Sequence, residues 1–366
     1  MVQRLTLLLV LTLVVSCSTV LAKDLDWTFT EDDDGEPVAV AVMTDTFGEN
    51  TALLIREFTG NVELVSGDTD QATLEFTLGG IKHASEKDVK TWSKRVDIDV
   101  DTGKKSWEIA GERKLVNWNH RPWYLDLKVT VPEGAMVDAQ VLTGGLDAHD
   151  YTGPLHYESD TGGIHVNNCS GDFELLTKTG GVALRDVEGT LNVRTSTGGV
   201  SIRDVRLTSH SSVQTSTGGA EIENTYGELD VMLSTGGLQI RGHHDNLVAE
   251  THTGGIDVRD LSGKLRAGTD TGGVSLRYLG TGELTGLALH SGTGPISVEL
   301  YESLAATIDV AIDDYDGEHE FHCDFPVDEQ QERGDQFTAR ILRNGGGVPI
   351  NLSTDDGMIN IEEDIR

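Results

Sequence analysis

Five arginines recur at one register of this sequence: Arg185, Arg203, Arg241, Arg259 and Arg277, with Glu223 taking one place in the series. Each lies four residues past a Thr-Gly-Gly triplet. A guanidinium is a planar fork of donors that matches carboxylate or phosphate groups bidentately. Stacked about 5 Å apart, the five would form a cationic stripe for acidic groups of a polysaccharide or lipid. A second reading stays open. Asp186, Asp204 and Asp260 follow directly, and Glu221 and Asp257 lie two before Glu223 and Arg259, so the column can neutralise itself. Other chemistry is thinner. His243-His244 with His252 and Asp270 could approach a metal, but no fixed ligand spacing supports it. No G-x-S-x-G, H-E-x-x-H or Cys/His nucleophile pattern occurs. A hydrolase or lyase needs a patch of carboxylates or bases breaking the repeat. The breaks near Leu207–Ser212 and Gly280–Gly286 are rich in Ser, Thr and Gly instead. The sequence predicts no catalytic residue, no metal site, no cofactor and no enzyme.

The elements that position the arginines follow from the triplets. Thr-Gly-Gly begins at Thr143, Thr161, Thr179, Thr197, Thr217, Thr235, Thr253 and Thr271, and Thr293-Gly294-Pro295 makes a ninth, degenerate copy. Spacings of 18 dominate, with one of 20 and one of 22. A phosphate loop would need a Lys and a following helix, and the calcium nonapeptide needs another glycine and half this period; neither fits. Aligned on the triplet, apolar residues recur just after it (Val182/Leu184, Val200/Ile202, Leu238/Ile240) and before it (Leu191/Val193, Leu229/Val231). Period-two patterns mean two short strands per repeat, each with one buried face. One turn is the Thr-Gly-Gly, and the other often holds glycine, as at Gly153, Gly171 and Gly189. An 18-residue coil buries too little apolar surface to offset its ordering entropy, so coils must stack and share one core. The predicted fold is an all-β, single-chain β-solenoid. By parity Leu191, Val193, Thr195 and Thr197 all face inward, which predicts an internal threonine ladder and disfavours an exposed, ice-binding one.

The flanks read as irregular coils. Ala52–Glu63 and Ala72–Leu78 alternate as strands, and Ser85–Arg95 reads as a short inserted helix capped by Ser85 with Asp88 three residues on. Trp92, Trp107, Trp118 and Trp123 surround that insertion and are expected to plug the first coils. At the far end, the acidic alternation Met358–Ile365 is expected to blunt the last strand edge.

Arg4, the apolar Leu5–Val15 and Val20-Leu21-Ala22 compose a signal peptide cleaved after Ala22. Val14-Val15-Ser16-Cys17 resembles a lipobox that would acylate Cys17. Both readings predict export to the bacterial cell envelope, in the periplasm or tethered to the outer membrane. No later segment approaches a membrane span. Cys169 and Cys323 remain as separate thiols, with Cys169 buried. The net charge of −33 argues against nucleic acid, whose binding rests on neutralising phosphates with Lys and Arg.

The order YLDLKVTVPEGAMVDAQVLTGGLDA (Tyr124–Ala148), then serial TSTGGVSI coils, then GGGVPINLSTDDGMINIEE (Gly345–Glu363), resembles the bacterial putative-adhesin family of unknown function, a toast-rack-like β-solenoid. The resemblance covers Ala52 to Glu363 and brings no catalytic residues with it. It implies a non-catalytic envelope scaffold for protein or glycan partners, in adhesion or the envelope stress response; a carbohydrate-active β-helix enzyme is the alternative. The organisation expected is a leader over 1–22, a lead-in over 23–51, irregular coils with the helical insertion over 52–135, the regular repeat over 136–300, and C-terminal coils with a cap over 301–366.

Overall fold

The computed structural model describes residues 19–21, 25–80, 84–96, 98–111, 123–280, 282–315, 317 and 320–364. Cys17, Ala22 and Trp118 lie outside the described residues. Two compact units, Met1–Gly171 and Asp172–Arg366, make up the chain.

In the second unit the repeats stack as parallel coils. The residue two past the corner glycine meets its equivalent in the next coil, so Val182, Val200, Ala220, Leu238, Ile256, Val274, Ile296 and Ile359 run in one register line. All eight are buried. This is the β-solenoid predicted from the triplets. The first glycine of each triplet makes a corner that tolerates no side chain. Gly198 has φ 152°, and a Cβ there would lie 2.0 Å from the carbonyl oxygen of Gly180.

A further corner was hidden in the sequence. Asp186, Asp204, Asn224 and Asp260 have φ between 51° and 59°, and Gly242 has φ 65°. Asp and Asn tolerate this left-handed conformation better than other side chains. Alternation breaks there: Arg185 and Asp186 are both exposed, and Val187 turns back inward. Val187, Val205, Thr225, His243 and Leu261 therefore form an additional inward column, absent from the period-two reading. Asn224 Nδ2 donates to Asp204 Oδ1 at 3.0 Å, which ties one such corner to the next.

The threonine expectation is half corrected. Thr177, Thr195, Thr215, Thr251 and Thr269 are buried, whereas Thr179, Thr197, Thr217, Thr253 and Thr271 are exposed. The corner begins one residue early, so parity fails between the two. The buried hydroxyls of Thr195, Thr215, Thr251 and Thr269 bond backbone carbonyls of the preceding coil. Thr195 Oγ1 donates to Gly180 O at 3.0 Å, and Thr215 and Thr269 repeat the bond to Gly198 and Gly254.

The strands Val348–Asp356 and Ile359–Asp364 make one more coil, with Asp356-Gly357 at the corner. Ile359–Asp364 is flanked by Ile296–Tyr301 and Phe321–Cys323, so it is not the blunted edge that its acidity suggested. Beyond Val348–Asp356 lie Ala306–Ile312, Gln336–Arg343 and Glu329–Arg333, the last two pairing antiparallel.

In the first unit, Met136–Thr143 lies parallel to Ala52–Thr59 and Leu155–Thr161. Pro37–Thr46, Gln71–Gly80 and Trp123–Pro132 pair antiparallel. The helix Glu86–Trp92 carries the predicted capping box, in which Ser85 and Asp88 each bond the other's backbone N–H. Trp92 and Trp107 are buried. Trp107 packs edge-on against Phe47 at 5.4 Å and belongs to a strand, Ser106–Gly111, paired with Ala52–Thr59. Thr19–Leu21, at the end of the expected leader, pairs with Ile98–Thr102. Cys169 is buried, Cys323 is half-buried, and both are free. Among the described residues, no helix is long and apolar enough to cross a membrane.

Candidate functional site

The arginines do form a column. Arg185, Arg203, Glu223, Arg241, Arg259, Arg277 and Glu299 are paired successively across parallel strands. Arg185, Arg203, Glu223 and Arg259 immediately precede the left-handed corner, where two consecutive residues face outward. Every arginine has a carboxylate beside it. Arg203 reaches Glu221 at 3.0 Å and Glu223 at 3.4 Å, and Arg241 reaches Glu223 from the other side at 3.1 Å. Glu223 thus sits between two arginines as their shared counter-ion. Arg259 forks onto Asp257, at 3.2 Å from Nε and 2.9 Å from Nη2. Arg277 spans Glu299 at 3.1 Å and the buried Asp364 at 3.0 Å. Arg185 is the loosest, 3.4 Å from Asp186 and 68% exposed. The Glu221 carboxylate pushes the Arg203 guanidinium still further from titration. The column is matched by its own acids.

The histidines named with Asp270 are parted. His243 is buried, with Nδ1 2.7 Å from Thr225 Oγ1, and burial lowers its pKa from 6.5 to about 4. His244 points outward, stacking on Tyr226 at 4.7 Å and meeting Ser262 Oγ at 2.8 Å. Of these, only His252 and Asp270 meet, through an exposed hydrogen bond between ring and carboxylate. Among the described residues, no group of three or more His, Cys, Asp or Glu is placed to hold a metal ion.

A site that the repeat did not announce lies in the first unit. A cleft of about 710 Å³ is lined by Glu63, Glu75, Asp126 and Asp147, with Lys128 and His165. Strand register sets five of them in a row: Glu75, Lys128, Glu63, Asp147 and His165 face one another across successive strands. Burial pushes the Asp126 carboxyl up, against the hydrogen bond it accepts from Asn61 N–H at 2.9 Å. Burial also acts on Glu63, but bonds from Lys128 at 2.6 Å and His149 at 3.1 Å outweigh it and hold that carboxyl below its usual range. The same Glu63 bond raises the His149 imidazole. Only the alternation at Ala52–Glu63 and Ala72–Leu78 signalled these strands; their side-by-side placement depends on pairings between distant segments.

Comparison with known proteins bears on the fold. Residues 50–249, more than half of the chain, match the family described as Toastrack DUF4097. Among solved structures, "a putative cell adhesion protein" from Clostridium sporogenes shares 11% identity, with 95% of this chain and 100% of that one covered, at a TM-score of 0.22. "A putative adhesin" from Bacteroides fragilis shares 12%, with 89% and 97% covered, at a TM-score of 0.24. No curated protein matches the chain. On the strength of the residues matched, the chain belongs to the Toastrack DUF4097 family.

Proposed function

We propose that this chain is a non-catalytic exported scaffold of the bacterial cell envelope that presents its β-faces to protein or glycan partners. The observation that supports it is the register of the outward columns. Outward side chains sit on stacked strands whose backbones are already hydrogen-bonded and whose charges are already matched. Such a surface loses little entropy on binding, because it is organised beforehand. The test is saturable binding of the immobilised chain to fractionated envelope glycans and membrane proteins. Binding to at least one class is expected, and binding to neither would refute the reading. The mass of the mature N-terminus distinguishes an acylated Cys17 from a start at Lys23.

A second reading, a carbohydrate-active enzyme, is favoured by the cleft of the first unit. Carboxyls whose surroundings push them apart can divide acid and base roles, with Asp126 as acid and Glu63 as the ionised partner. Release of new reducing ends from a polysaccharide panel, lost in Asp126→Asn, is the outcome that would establish it. No release by the unaltered chain excludes it.

A further inference from the structure

The second unit carries a trough across its outward face that none of the repeat columns predicted. Two adjoining depressions, each close to 600 Å³, share Asn351 and Ser353 as common lining. Their bed is two columns of side chains in unbroken register. One runs Glu250, Gly268, His290, Ser353, Ala311, Thr338 and Gln331, and Met232 precedes it. The other runs Arg266, Ala288, Asn351, Asp309, Arg340 and Glu329. The first column crosses eight strands from Met232 to Gln331, a length of roughly 34 Å at about 4.8 Å per strand.

Three features define what would lie there. Small residues make the bed: Gly268, Ala288 and Ala311 interrupt longer neighbours, and space above Gly268 is open, since a Cβ there would have its nearest neighbour at 4.0 Å. The arginines are neutralised in place, and the lining carries more carboxylates (Asp309, Glu329, Glu250 and Asp270) than arginines (Arg340 and Arg266). Arg340 forks onto Asp309, at 2.7 Å from Nε and 3.2 Å from Nη2; Arg266 lies 3.6 Å from Glu250; the His252 ring meets the Asp270 carboxylate through a hydrogen bond. No Phe, Tyr or Trp lines either depression, so the trough lacks the anchors of a peptide-side-chain pocket. What remains is a row of donors and acceptors at strand spacing: His290 with Ser353 at 3.0 Å, then Asn351, Thr338, Gln331 and the paired forks. An anionic polymer would meet this surplus of carboxylates, and arginines already paired with acids. A hydroxyl both donates and accepts, and can address every one of these groups.

We propose that this trough binds an extended, uncharged, hydroxyl-rich polymer, a neutral glycan chain lying across the strands. The proposal rests on the glycan-binding form of the scaffold reading and gives it an address. The polymer's successive residues lie over Gly268, Ala288 and Ala311, and the flanking amides, imidazole and ion-paired forks bond its hydroxyls.

Affinity electrophoresis and titration of the full mature chain against neutral glucans, mannans and galactans, with alginate and heparin as anionic polymers, test it. Binding to a neutral polymer is expected, changed less than about threefold by 0.5 M salt. Gly268→Tyr, whose Cβ would have its nearest neighbour at 4.0 Å, fills the bed and should weaken binding at least tenfold, and Asn351→Ala should weaken it severalfold. Unchanged thermal unfolding of both variants separates lost binding from lost folding. Should Gly268→Tyr misfold, Ala288→Gln, at the neighbouring half-exposed position, replaces it with the same expectation. Neutral-glycan binding that survives the folded trough variants overturns the trough and leaves the scaffold reading standing. Preference for alginate or heparin overturns the charge argument. Binding to no polymer overturns the proposal, and the scaffold reading then depends on protein partners.

Discussion

Acidification from pH 7 to pH 4 should cost this protein roughly 3 kcal/mol through one side chain, His243. The imidazole is fully buried, in the inward column between Thr225 and Leu261. Its Nδ1 faces the Thr225 hydroxyl, and Nε2 lies 3.4 Å from Asn246 O. Burial disfavours the cation and depresses the folded pKa to about 4, and the neighbouring His244 adds to this while Asp245 opposes it. Unfolded, the ring titrates near 6.5. Between these values the unfolded chain holds a proton that the folded chain refuses, so stability falls as pH falls. The stabilisation is complete above about pH 6.5 and gone below about pH 4. At about 1.4 kcal/mol per pH unit, the gap amounts to the figure stated. Urea denaturation at pH 7, 6, 5 and 4 measures it, against Thr225→Val/His243→Leu. That double variant keeps the column apolar and leaves no hydroxyl orphaned. Carboxylates titrate in both proteins and cancel in the difference. Stability curves that run parallel for the two proteins from pH 7 to pH 4 would refute the reasoning.

Four other outcomes follow from geometry. Gly198→Ala should destabilise by at least about 3 kcal/mol, because its Cβ would meet Gly180 O at 2.0 Å; Gly199→Ala, whose Cβ has its nearest neighbour at 3.5 Å, should change stability by less than about 1 kcal/mol. Thermal unfolding of the pair checks this asymmetry. Arg277→Met should cost about 2 to 3 kcal/mol, since it meets a buried carboxylate, and Arg185→Met less than about 0.5 kcal/mol, both read by denaturant midpoints. Charge reversal at Arg241 and Arg259 should leave binding to an anionic glycan and lipid panel unchanged, and weakened binding would restore these arginines as a ligand stripe. Ser85→Ala should remove about 1 kcal/mol of helix capping, seen as faster amide exchange in Glu86–Trp92.

Much of the solenoid was legible because its signals are local. Thr-Gly-Gly marks a corner by needing glycine, and Val182/Leu184 or Leu191/Val193 mark strands by parity. The corner at Asp186 and Asp204 was not legible as such. Aspartates beside arginines read as counter-ions, and their left-handed backbone leaves no period in the sequence. Missing that corner also hid the inward column of Val187, Val205 and His243, and misplaced Thr197. The arginine column was read correctly down to its choice of two meanings, and side-chain distances supplied the partners. The trough was beyond reach, because Ser353 and Thr338 join it through pairings between segments tens of residues apart. The cleft around Asp126 was hidden for the same reason.

The matched charges also bear on how such a chain can change length. Coils in the regular stack bond to the ones before and after them, so 18 residues form a natural quantum for gain or loss. Sequence edits need not be equivalent, however. Excising residues 235–252 would bring Glu223 against Arg259 and keep opposite signs together. Excising residues 217–234 would bring Arg203 against Arg241 and remove Glu221 and Glu223, the carboxylates that these two arginines bond. The coil that holds Glu221 and Glu223 is therefore the one whose loss strips neighbouring arginines of the column of their partners, and the coil that holds Arg241 can be removed without that defect in the column.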